Sequence, residues 1–236
     1  MGKNSISVLE RVIKGKTCVL YENDEADTYL IQPIDENDLE VLYNEIEWIK
    51  RFAPQRSFTF IAFPINSWNE ELSPWEALAV FGNQSFGSGA NQTLAFITDA
   101  LLPMLRGSVK HNRSTAYYMG GYSLAGLFSL WAAYQTDSFS GIAAVSPSVW
   151  FPGWDNYMQS HAIQTSNVYM SLGDREERTR NKTMAIVGDR IRCQYELLQK
   201  AGRVKNCTLE WNPGNHFADP HIRMAKGFAW LLNNRR

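Results

Sequence analysis

The feature that most constrains this chain is an alternation, from residue 57 onward, of short apolar runs with segments of helical spacing. The runs are "SFTFIAFPI", "TAYYMGG", "GIAAVSP", "NVYMSLG" and "CTLEWNPG". Between and after them come "QTLAFITDALLPMLRG", "LAGLFSLWAAYQ", a short stretch near "WDNYMQSH", "TMAIVGDRIRCQYELLQKAG" and "FADPHIRMAKGFAWLLNN". Aromatic and β-branched residues in continuous rather than alternating runs mark strands buried on both faces. A strand, a helix and a further strand in succession give a crossover, and crossovers give parallel pairing with helices on both faces of the sheet. The expected fold is therefore α/β, a mainly parallel twisted sheet.

The first third of the chain adds to this pattern. "KTCVLYE" and "DTYLIQPI" bracket the polar "NDEA" and read as an antiparallel hairpin. In "DLEVLYNEIEWIKRFA", Leu39, Leu42, Ile46 and Ile49 recur at helical spacing, and Pro54 ends the helix. The segment at about 65–92 is rich in Trp, Gly, Asn and Ser without a period, and reads as a long functional loop. The 236 residues contain no repeat or linker and fit one domain.

Composition excludes several classes. Lys+Arg 23 against Asp+Glu 24 leaves a net charge of −1, without the basic stripe that a nucleic-acid surface needs. There is no apolar h-region at the start and no run that would span a bilayer, so a cytoplasmic protein without membrane association is expected. Cys18, Cys193 and Cys207 are odd in number and lack metal-ligand spacing. The chain has no phosphate-loop, zincin or dinucleotide motif, and neither a metal nor a cofactor is expected.

Functional groups of such sheets collect beyond the carboxyl ends of the strands. Ser123 stands there, between the strand "TAYYMGG" and the helix that starts at Leu124. A nucleophile on so sharp a turn needs small residues two before and two after it, and here they are Gly121 and Ala125. The Leu124 N–H, at the helix start, is then placed to stabilise an oxyanion. The competing reading makes Ser123 an ordinary helix N-cap. Ser146 and Ser148, beside Pro147, read as strand-end or pocket-wall residues.

A serine hydroxyl needs a base. His111 precedes the Ser123 strand, His161 follows a short helix, and His221 falls in the first turn of the last helix. His216, in "NPGNHF", directly follows the last strand and comes after Ser123 in the chain. The acid is expected between them, where "SLGDREE" offers Asp174, Glu176 and Glu177 after a strand.

Taken in order, "GGYSLAGLFSLWA", "AAVSPSVWF", "SLGDREE" and "GNHF" resemble the putative-esterase branch of the α/β-hydrolases, which includes enterochelin-esterase-like and S-formylglutathione-hydrolase-like enzymes. The resemblance spans residues 57 to 232. It implies an acid three residues after a strand-ending glycine, which is Glu176, with Asp174 as runner-up. Relatives commonly carry His-Gly where this chain has "QPID"; Pro33 has no N–H, which leaves Ile34, or Asp35, as second oxyanion donor. The loop "INSWNEELSPWEA" matches the place of substrate contacts, and points to Trp68, Asn69 and Trp75. The implied activity is that of a serine carboxylesterase acting on a small or medium acyl ester. Thioester hydrolysis or acyl transfer would use the same residues. The missing His-Gly and Ala125 motivate a further alternative, a binding protein on a hydrolase fold.

Overall fold

The computed structural model describes residues 7–23, 25–107 and 115–235. The described residues form one eight-stranded sheet: β1 (Ser7–Ile13), β2 (Lys16–Glu22), β3 (Thr28–Ile34), β4 (Thr59–Pro64), β5 (Ala116–Tyr122), β6 (Gly141–Val145), β7 (Asn167–Gly173) and β8 (Asn206–Asn212). Across the sheet the order is β1-β2-β4-β3-β5-β6-β7-β8, and β3 to β8 are mutually parallel.

An antiparallel N-terminal hairpin is present, but its partners differ from the sequence expectation. It joins β1 to β2 through Lys14–Gly15, both at positive φ, the geometry of a tight hairpin turn. β2 then pairs antiparallel with β4, which lies between β2 and β3. Every residue of β3 is buried. Burial on both faces sends that strand to the middle of the sheet, flanked by β4 and β5, so "NDEA" links two strands that do not pair.

The helices are α1 (Glu36–Phe52), α2 (Trp68–Glu71), α3 (Ala90–Phe96), α4 (Leu102–Gly107), α5 (Leu124–Gln135), α6 (Trp154–Ser160), α7 (Lys182–Ala185), α8 (Val187–Lys200) and α9 (Pro220–Asn233). A π-helical turn, Ile97–Leu101, joins α3 to α4 directly ahead of Pro103, whose missing N–H interrupts the regular bonding there. The two faces of the sheet carry separate cores. On one, Leu42, Ile46 and Ile49 of α1 and Phe228, Leu231 and Leu232 of α9 cover Leu30, Phe60 and Tyr118. On the other, α3 to α6 and α8 pack on Ile61, Met119, Ile142 and Met170. Alternate residues of β5, Tyr118 and Met119, thus enter opposite cores, as a two-residue period demands.

α5 is buried along Leu124–Tyr134, apolar on all sides. Its N-terminus is therefore held rigidly at the end of the central strand β5. The segment at 65–92 is more ordered than its composition suggests. It contains α2 and a bridge between Ala77 and Phe86, and the Thr93 hydroxyl donates to the Glu71 carbonyl at 2.7 Å.

Candidate active site

Ser123 joins β5 to α5 with φ 58° and ψ −119°, a conformation that non-glycine residues rarely adopt. Its hydroxyl makes no capping bond to α5. The turn is closed so tightly that a Cβ on Gly121 would lie 2.4 Å from the Ala125 carbonyl carbon and 2.7 Å from its Cβ. Glycine at 121 is what makes room for alanine at 125.

Instead of capping, Ser123 Oγ lies 3.1 Å from His216 Nε2. His216 Nδ1 lies 2.7 Å from Glu176 Oε2. Three strand ends, those of β5, β7 and β8, thus deliver a hydroxyl, a carboxylate and an imidazole into one hydrogen-bonded line. Gly173, which ends β7, permits the close approach: a Cβ there would meet the Gly214 carbonyl oxygen at 2.5 Å and Glu176 Oε1 at 2.9 Å.

Glu176 is 8% exposed. Oε2 faces His216, while Oε1 accepts from Gly173 N–H at 2.7 Å, the Ser146 hydroxyl at 2.7 Å and Arg223 Nη1 at 3.1 Å. Burial pushes this carboxyl up. The hydrogen bond and charge of His216, the Ser146 hydroxyl and the Gly173 N–H outweigh burial and hold it below the ordinary carboxylate range.

The other acidic candidates face elsewhere. Asp174 Oδ1 accepts from Gly214 N–H at 2.8 Å, and Asp174 N–H donates to the Asn212 carbonyl at 2.8 Å. It braces the loop that carries His216 without touching the imidazole. Glu177 pairs with Arg192 at 3.0 Å. His221 sits in the first turn of α9 and His161 stacks on Tyr157, while His111 lies outside the described residues.

Arg223 and Tyr122, to which sequence reasoning assigned no role, complete the cluster with Ser146, which the sequence marked as a strand-end or pocket-wall residue and which does follow β6 and line the cavity beside His216. Arg223 of α9, 2% exposed, donates through Nη1 to Glu176, to Tyr122 Oη at 3.2 Å and to Ser146 Oγ at 3.4 Å. Through Nη2 it reaches the Pro213 and Asn215 carbonyls at 2.9 and 3.0 Å. Tyr122 in turn donates to the His216 carbonyl at 2.6 Å. One buried guanidinium therefore ties the acid and the histidine loop to a single point. Ser146, at φ 45°, follows β6, so the strand-end criterion alone marks its position. Arg223→Met leaves Glu176 without its buried cation. It should cost about 3–5 kcal/mol of stability, read from urea unfolding. Arg223→Lys should recover only part, since an ammonium cannot span both loop carbonyls.

Leu124 N–H opens α5 and has no carbonyl of its own helix to reach. Ile34 ends β3, the neighbour of β5, and its carbonyl accepts from Ile65 N–H at 2.9 Å. Asp35 N–H is engaged with Asp38 Oδ2 at 3.2 Å in the capping box of α1.

A cavity of about 300 Å³ opens beside His216, walled by Trp150, Met184, Val187 and Phe217 and by Arg175 and Arg178. Trp68, Asn69 and Trp75 do not line it. Trp75 donates to the Pro152 carbonyl at 2.8 Å and packs on Phe151, Trp154 and Tyr157. Asn69 Nδ2 bonds the Gln84 carbonyl at 3.3 Å, and Trp68 packs on the core. Among the described residues no cluster of His, Cys, Asp and Glu is arranged for a metal ion, and no helix is long and apolar enough to cross a membrane.

Among solved structures, the chain is similar to the siderophore hydrolase EstA from Aspergillus nidulans, at 16% identity over 99% of this chain and 96% of that one, with TM-score 0.74. It is also similar to an IroE-like serine hydrolase from Shewanella oneidensis, at 15% identity over 96% and 80% of the two chains, TM-score 0.76. Est1E from Butyrivibrio proteoclasticus superposes at TM-score 0.56, with 13% identity over 97% and 99%. At such identities the likeness speaks for the fold, an α/β-hydrolase. No curated protein matches the chain. The model of the family described as "Putative esterase" matches residues 44–215, which span β4 to β8 and end one residue short of His216. The chain belongs to the putative-esterase family of α/β-hydrolases.

Proposed function

We propose that this chain is a serine carboxylesterase acting through Ser123, His216 and Glu176. The observation that carries this reading is the unbroken line from Ser123 Oγ to His216 at 3.1 Å and on to Glu176 at 2.7 Å, on a strained strand–helix turn. His216 Nδ1–H donates to Glu176, which leaves the Nε2 lone pair toward the serine. Ser123 Oγ attacks the ester carbonyl as Nε2 takes its proton. Leu124 N–H stabilises the oxyanion; the Ile34 N–H faces the Phe63 carbonyl across the pairing of Ile34 with Pro64 and is not the second donor that the sequence suggested. Nε2 returns the proton to the leaving alkoxide, and water repeats the sequence on the acyl-enzyme. The family and the hydrolase neighbours support ester cleavage, and a small-molecule ester fits a cavity of this size.

A common acyl-enzyme makes a direct prediction. With methanol present, p-nitrophenyl acetate and phenyl acetate should give the same ratio of methyl acetate to acetate, because both pass through one intermediate. A ratio that follows the leaving group, or no hydrolysis of either ester, would overturn the mechanism.

A further inference from the structure

We propose that the cavity beside His216 is a subsite for the leaving alcohol of the ester, and that it selects an alcohol carrying an anionic group on an apolar body. This inference rests on the roles given above to Ser123 and His216.

His216 Nε2 hands its proton to the leaving oxygen, so the leaving group departs on the His216 side of the serine. The cavity has His216 in its wall, while Ser123 does not line it, so a group leaving past His216 would extend into it. The helix start at Leu124, proposed to hold the oxyanion, is not part of it. Its lining divides by chemistry. Trp150, 6% exposed, together with Met184 and Val187, offers an apolar wall. Phe217, 84% exposed, forms a lip whose ring gains burial only when something covers it.

Arg175 and Arg178 supply the charge. The local carboxylates do not neutralise them both. Glu176 also lines the cavity, but its two oxygens are taken up by His216, Gly173, Ser146 and Arg223, and Glu177 is paired with Arg192. Asp174 approaches Arg175 only to 3.9 Å while accepting from Gly214. Among the described residues, no carboxylate lies within ion-pairing distance of Arg178, whose exposed guanidinium retains its donors. A guanidinium fork matches a carboxylate or phosphate oxygen pair, and Arg178 is therefore the specificity-determining residue.

The test uses two ester pairs: 4-acetoxybenzoate against methyl 4-acetoxybenzoate, with the anion on the leaving group, and p-nitrophenyl hemisuccinate against p-nitrophenyl acetate, with the anion on the acyl group. The quantity read is the anionic-to-neutral ratio of kcat/KM, compared between wild type and variant so that intrinsic reactivity cancels. Arg178→Glu should lower the leaving-group ratio about tenfold, in line with reversing one partly solvated charge contact, and leave the acyl-group ratio within about twofold. Arg178→Lys should keep most of it. The wild-type leaving-group ratio should also fall with added salt. An unchanged leaving-group ratio in Arg178→Glu, or a drop confined to the hemisuccinate pair, overturns the subsite while the esterase reading stands. A wild type inactive on the neutral esters defeats the esterase reading, and the subsite with it.

Discussion

Ser123→Ala and His216→Ala should each lower kcat/KM for p-nitrophenyl acetate by about 10⁴-fold or more, and the double variant should be no slower than the worse single one. The two groups act as a unit. Without the imidazole, the hydroxyl keeps its proton and is a poor nucleophile at neutral pH. Without the hydroxyl, the imidazole has no proton to take from an attacking oxygen 3.1 Å away. Losses that multiplied in the double variant would mean that Ser123 and His216 serve separate steps. The folds of the variants should survive, because the Ser123 hydroxyl makes no cap bond and the histidine loop keeps its contacts to Arg223 through the backbone carbonyls of Pro213 and Asn215. Retained activity in His216→Ala would move the base to another histidine.

Glu176→Gln should reduce kcat by about 10⁴-fold, as happens when the acid of a serine–histidine–acid line becomes an amide. The amide nitrogen can donate toward His216 Nδ1 and so favour the tautomer whose Nε2 proton faces Ser123. Asp174→Asn should cost far less, within about tenfold, because its remaining carbonyl oxygen can still accept from Gly214 N–H. A reversed ranking would make Asp174 the acid. Glu176→Gln also has a stability signature. Glu176 is held below its ordinary pKa, so its ionised form contributes stability that is complete above the unfolded-state value and is lost as pH falls through the lower folded-state value. Urea midpoints of wild type should therefore fall on acidification below the ordinary carboxylate range, and those of Glu176→Gln should fall less.

Much of this was legible in the sequence because the relevant signals are local. Strands buried on both faces read as apolar runs, and the ends of three of them carry Ser123, the acidic segment Asp174–Glu177 and His216; within that segment the family resemblance, not the strand end, singled out Glu176. Strand pairing is not local in this sense. β2 and β3 are consecutive in sequence yet separated by β4, and the hairpin partner of β2, Ser7–Ile13, carries Val8 and Val12 largely exposed, which weakens its pattern. Arg223 was invisible for a similar reason. On a helix, an arginine two residues after a histidine and three before a lysine reads as solvated charge, and only the packing of α9 against the strand ends buries it. Nor did composition tell the walls of the cavity from the struts of the long loop. Trp75 and Trp150 are equivalent as residue types, but Trp75 is anchored to Pro152 whereas Trp150 faces the space beside His216.

Covalent capture of the nucleophile tests the central claim most directly. A fluorophosphonate incubated with the protein should add a single phosphonyl group to the intact mass, and peptide mapping should place it on Ser123. Ser123→Ala should stay unlabelled under the same conditions. Labelling of the alanine variant to the same extent, or a wild type that remains unmodified while folded, would contradict the assignment of Ser123 as the nucleophile.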